Sequence, residues 1–122
     1  MWLLKISKTI SYKDAILYYD GLMHCDIVES NYRFNFSFIT KFYYNMMQLS
    51  EVIQQYEIQR KDLESECGED TDEYEEKNKL LLNDETAIEI CLIDINEAMS
   101  LRFSYDTISK LYFMVDLDTV VL

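Results

Sequence analysis

The stretch ITKFYYNMMQLSEVIQQYEIQRKDLESECG, residues 39–68, decides the fold. Ile39, Phe42, Met46, Leu49, Ile53, Tyr56, Arg60, Leu63 and Cys67 follow one another at alternating spacings of three and four, with no break in register before Gly68. That is the seam of a single amphipathic helix. A helix starting near Ser30 or Asn31 and running to Cys67 would be ~50 Å long at about 1.5 Å per residue. A compact domain of this chain length measures roughly 35 Å across, so part of the helix must either protrude or find a partner.

Working outward, Gly68 is the expected C′ residue, and Asp70 with Glu73 three residues on is the expected start of the next helix. Upstream, Trp2 to Ile6 reads as a short strand. Ser11 with Asp14 reads as the cap of a short helix carrying Ile16, Leu17 and Tyr19 and ending at Gly21. Downstream, Asn83-Asp84 marks a turn, and Ala87 to Ile95 reads as a strand covered on both faces and paired with the N-terminal strand. Ser104 should cap a last helix carrying Ile108, Leu111 and Tyr112. The tail from Phe113 could continue that helix or finish as a strand.

The expected fold class is therefore α+β, mainly α: a long helical hairpin with a small two-stranded sheet, in the order βαααβα, as one domain over residues 1–122. With no proline and two glycines in 122 residues, the chain favours long regular elements over an all-β sandwich.

Two arrangements would satisfy the seam. The third helix could fold back across Gly68, setting Tyr74 and Leu81 against Leu63 and Tyr56 and bringing Lys77 and Lys79 near Glu57 and Glu64. Alternatively the seam could pair with a second copy as a coiled coil, with Arg60 at a core position. Glu57, Glu64 and Glu66 would then face their own copies in a parallel dimer, so an antiparallel homodimer is the version to expect. The near half of the helix is crowded with aromatics: Tyr32, Phe34, Phe36, Phe38, Phe42, Tyr43 and Tyr44 cannot share one face. From this group and its neighbours, Tyr32, Phe36, Phe42, Tyr43 and Leu49 are the candidate oligomer or partner face.

Charge is unevenly distributed. Residues 1–63 hold seven acidic and seven basic side chains, whereas residues 64–122 hold sixteen and four and so carry the whole net charge of −12. The density peaks at the hairpin tip, about residues 64–76. There Glu64, Glu66, Glu69, Asp70, Asp72, Glu73, Glu75 and Glu76 are accompanied by no basic residue. Such a surface repels nucleic acid and attracts a protein partner with a basic surface. Spread over a tip of about 20 Å, the carboxylates lie roughly 2.5 Å apart per charge, approaching the ~1.7 Å of duplex DNA. Mimicry of a nucleic-acid backbone is one use of that field, and solubility is the other.

Catalytic and metal signatures are lacking. Cys25, Cys67 and Cys91 are odd in number and share no C-x-x-C spacing, which suits reduced thiols rather than a disulfide framework or a zinc site. His24 beside Cys25 has no second histidine to work with. Asp70, Asp72 and Glu76 are spaced as in a calcium loop, but Glu75 stands where that loop needs glycine and Leu81 where it needs a bidentate glutamate. No cofactor, metal or enzymatic activity is expected. The WLLKI run is too short for a signal h-region, and no stretch approaches the roughly 20 apolar residues of a membrane span. The expectation is a soluble, cytoplasmic protein.

Asn31-Tyr32-Arg33, Ile39, Lys41-Phe42, Leu49, Ile53, Tyr56, Arg60 and Leu63, then Glu76-Lys77-Asn78 with Leu80 to Leu82, then Ala87-Ile88-Glu89-Ile90 and the closing Leu111-Tyr112-Phe113-Met114-Val115 form a longer pattern. Over about residues 30–116 it resembles a group of small uncharacterised phage proteins with a helical hairpin, an E-I strand and a terminal L-x-F-M-I motif. The aromatic run Phe34–Phe38 departs from that group. The resemblance implies phage or mobile-element origin and expression in the host bacterial cell, and it carries over no catalytic residue. Taken with the acidic tip, it suggests a non-enzymatic inhibitor of a host nucleic-acid-handling or defence complex, of the anti-CRISPR-like or DNA-mimic type. The competing expectation is an oligomeric structural or assembly protein using the long helix.

Overall fold

The computed structural model describes residues 5–25, 36–100 and 102–116. Strand β1 (Lys5–Ser11) leads into helix α1 (Tyr12–Met23), and helix α2 (Phe36–Cys67) is followed by helix α3 (Asp72–Asn83). Strand β2 (Glu85–Cys91), the two-residue strand β3 (Ile93–Asp94) and the short helix α4 (Ile95–Ser100) come next. Helix α5 (Tyr105–Leu111), a 3₁₀ turn and strand β4 (Val115–Asp116) close the described chain. The expected α+β class and element order hold, with α4 and the β3/β4 pair added.

Helix α2 runs unbroken for 32 residues, or ~48 Å. Along its seam Phe42, Met46, Leu49 and Tyr56 are buried, while Ile39, Ile53, Arg60, Leu63 and Cys67 are half-buried; none is exposed. The partner that covers the seam is the chain itself. Helix α3 returns antiparallel: Tyr56 Oη donates to Asn78 Oδ1 at 2.7 Å and Arg60 Nη1 to the Tyr74 hydroxyl at 3.3 Å. Over the same stretch α1 crosses α2, with Tyr12 and Tyr56 rings 5.7 Å apart and Gln59 Nε2 donating to the Tyr12 hydroxyl. The small sheet seats Ile10, Ile88 and Ile90 in the same core as Phe38, Phe42 and Leu49.

Strands β1 and β2 are antiparallel, with Lys8 opposite Ile88 and Ser11 opposite Glu85. Several sequence boundaries move. The N-terminal strand extends to Ser11, whose side chain accepts from the Asp14 amide and caps α1 as expected; Trp2 to Leu4 lie outside the described residues. Helix α1 passes through Gly21 to Met23 rather than ending there. A Cβ at this point would lie 2.5 Å from Lys110 Cε of α5, so a larger residue would require that flexible side chain to move aside. Helix α3 starts from Thr71, not Asp70.

The strand expected over residues 87–95 is not covered on both faces. Its alternating burial leaves Glu85, Ala87 and Glu89 exposed while Ile88 and Ile90 face the core. It also stops at Cys91. The Asn45 side chain reaches in from α2, accepting from the Cys91 amide at 2.7 Å and donating to its carbonyl at 2.9 Å, so a side chain rather than a further strand satisfies both backbone groups. Asp94 Oδ1 then accepts from the Asn96 amide and turns the chain into α4. Ser104 caps α5 through the Thr107 amide. The tail choice resolves into a 3₁₀ turn over Tyr112–Met114 followed by β4, which pairs parallel with β3 through Ile93 opposite Val115.

Candidate functional site

The hairpin tip is shaped by a tight connection of four residues. Gly68 takes φ +85° and Asp70 φ +61°, left-handed values that suit glycine and are tolerated by aspartate. The Gly68 amide returns to the Glu64 carbonyl at 2.9 Å, closing α2. One hydroxyl then joins the helices: Thr71 Oγ1 donates to the Cys67 carbonyl at 3.1 Å and accepts from the Tyr74 amide at 3.1 Å. The tip is thereby held as a defined turn, and its charges occupy set positions.

Of the eight carboxylates, seven are exposed and Glu64 is half-buried. Glu64 pairs with Arg60 at 3.0 Å and Glu73 with Lys77 at 3.1 Å. Among the described residues, Glu66, Glu69, Asp70, Asp72, Glu75 and Glu76 form no ion pair within 4.0 Å. The expected approach of Lys77 and Lys79 to Glu57 and Glu64 is corrected. Arg60, at the seam position between those glutamates, takes both, with Glu57 at 3.0 Å, and Lys77 turns back along its own helix to Glu73. Glu57 raises the pKa of the Arg60 guanidinium, and the Glu73 carboxylate does the same for Lys77.

Helix chemistry accounts for only part of this acidity. Asp72, Glu73 and Glu75 lie in the first turn of α3, at the positive end of its dipole. Glu64 and Glu66 lie in the last turns of α2, which has no basic residue there, so they sit against the dipole. Glu69 and Asp70 belong to neither helix.

The aromatic face divides. Phe42 and Leu49 are fully buried, at 0 % exposure, with Phe38 stacked on Phe42; they belong to the protein's own core and are unavailable to a second copy. Tyr32 and Phe34 lie outside the described residues. Phe36 and Tyr43 do reach solvent, Phe36 at 78 % exposure, and Met47 joins them at 62 %. Spaced seven and four residues apart, these three share the outward side of α2.

The sequence reading missed a cleft of about 350 Å³ on the flank of the hairpin, lined by Leu63 of α2, Leu80 and Leu81 of α3, and the rim residues Asp62, Lys77 and Asp84. Its signal was the run Leu80-Leu81-Leu82: three successive positions on a helix cannot all face one core. Leu81 is buried and Leu80 is 66 % exposed.

Cys25, Cys67 and Cys91 form no disulfide with one another; Cys25 and Cys91 are buried and Cys67 is half-buried. Burial pushes the Cys91 thiol above its ordinary pKa, which favours the unreactive protonated form. Among the described residues, no group of three or more His, Cys, Asp or Glu side chains is placed to hold a metal ion, and no helix is long and apolar enough to cross a membrane. No protein-family model, curated protein or solved structure matches the chain.

Proposed function

We propose that this is a non-enzymatic interaction protein that presents its acidic hairpin tip to a basic, phosphate-binding surface on a protein partner. The partner class that fits is a nucleic-acid-handling or defence complex of a bacterial host, and the setting is a phage or mobile element. The supporting observation is the placement of charge: six tip carboxylates without an ion pair among the described residues, with Glu66 set against the dipole of its own helix. Solubility alone requires neither the concentration of charge at one end nor a turn that fixes it.

Changing Glu69, Asp70, Asp72 and Glu73 to Ser removes four charges while leaving the Thr71 hydroxyl and the core intact. In a pull-down from host lysate, capture of the partner should fall about tenfold for this variant and should weaken steeply with added salt. Duplex DNA should compete for the captured partner. Capture that is indifferent to the four substitutions sinks the reading.

The outward side of α2 favours a second reading. Phe36, Tyr43 and Met47 form an exposed apolar stripe, and a structural or assembly protein would use it as a homodimer contact.

A further inference from the structure

The hairpin-flank cleft joins two kinds of surface that a cationic side chain needs together. Its floor is apolar, with Leu80 largely exposed beside Leu63 and Leu81, and its rim carries Asp62 and Asp84. The rim's own cation, Lys77, is engaged by Glu73 at 3.1 Å. Asp62 and Asp84 form no ion pair among the described residues. The Asp84 backbone is fixed on both sides, its carbonyl accepting from the Tyr12 amide at 3.1 Å and its amide donating to Leu81 at 3.0 Å, so this rim position is held by the fold.

We propose that the cleft takes one arginine or lysine side chain of the protein partner, its methylene stem lying on the exposed leucine surface and its charged head meeting Asp62 or Asp84. Long cationic side chains bury their stems along apolar surface while keeping the head polar, and arginine, being planar and weakly hydrated, suits such a site better than lysine. The proposal rests on the reading of the protein as a binder of basic partners, and it adds a short-range anchor to the long-range field of the tip. The tip would steer and the cleft would hold.

The test uses a blocked, fluorescein-labelled peptide of about fifteen residues with arginine and leucine at helical spacing, titrated by anisotropy into the full chain. Saturable binding is expected. Leu80→Ser, which leaves net charge unchanged, should raise Kd about tenfold, as should the double change Asp62→Asn with Asp84→Asn. Both sets of side chains are exposed, so these variants keep the fold, which circular dichroism checks. The Leu80→Ser loss should persist in a tip variant carrying Glu69→Ser, Asp70→Ser and Asp72→Ser, in which Glu73 is kept so that Lys77 stays paired.

If either groove variant binds as the parent does, or if no saturable binding is reached by about 1 mM peptide, the cleft is not the anchor. Loss confined to the tip variant overturns the cleft and leaves the proposed function standing. Loss confined to the groove variants supports the cleft and removes the role given to the tip.

Discussion

At the residue scale, Asn45 is the most consequential polar side chain in the core. It is fully buried, makes both backbone hydrogen bonds of Cys91, and brings its amide within 3.3 Å of Met114 Sδ. Asn45→Ala would leave an N–H and a C=O unpaired in the interior, at about 1–3 kcal/mol each. Thermal unfolding should shift down by about 10 °C, and a change below about 2 °C would show that water replaces the amide. Nothing in the sequence distinguishes Asn45 from a surface asparagine. Its role appears only when α2 meets the end of β2, a contact 46 residues apart along the chain.

Tyr44 makes a second prediction at this scale. Its hydroxyl donates to the Glu89 carboxylate, and Lys5 lies 4.6 Å over its ring. That hydrogen bond first, then burial and the negative charge of Glu89, push its pKa up to about 12. The phenol's contribution to stability is therefore fully present below its ordinary pKa of 10.0 and is lost as pH rises from there through the raised value. Alkaline titration followed by tyrosinate absorbance should show a late-ionising group that Tyr44→Phe removes, and stability should become less dependent on pH in that window. An unchanged late phase would assign it to Tyr56, whose pKa burial also raises.

At the element scale, the hairpin turn depends on one glycine and one hydroxyl. Gly68→Ala forces a side chain into φ +85° and places its Cβ 3.4 Å from Thr71 Cγ2, so it should cost about 1 kcal/mol. Thr71→Ala removes the cap of α3 and should cost about 1 kcal/mol as well. Because both act on the same turn, the double variant should lose less than the sum, as chemical denaturation would measure. Full additivity would mean that the two helices end independently. The glycine was legible from sequence, since the seam stops there. The cap was not, because Asp70 and Thr71 are both good cap residues and only the backbone path selects between them.

At the scale of the whole molecule, the seam that reads equally well as a hairpin or a coiled coil is closed by the chain's own α1, α3 and sheet. A homodimer through Phe42 or Leu49 would have to open the core. Of the described aromatic face of α2, the outward stripe is what remains exposed, so under the assembly reading Tyr43→Lys with Met47→Lys should lower the oligomeric state seen in sedimentation. If the protein uses that stripe, these exposed changes dissociate it without unfolding it. A monomer at micromolar concentration in the parent protein removes the assembly reading.

The antiparallel register of β1 and β2 came from the fold, whereas the long helix, its stop at Gly68, the pairing of the N-terminal and E-I strands, and the separation of a neutral half from an acidic one were legible in the residues alone. These follow from periodicity, glycine conformation and charge, which are local or additive. Contacts between distant elements were needed to show that Phe42 and Leu49 are core while Phe36, Tyr43 and Met47 face solvent, that Arg60 rather than Lys77 takes Glu57 and Glu64, that β2 ends at Cys91, where Asn45 meets it, and that Leu80 and two aspartates share a cleft. Each of these depends on which element arrives from a distance to cover a given face, and no property of one segment encodes the position of another.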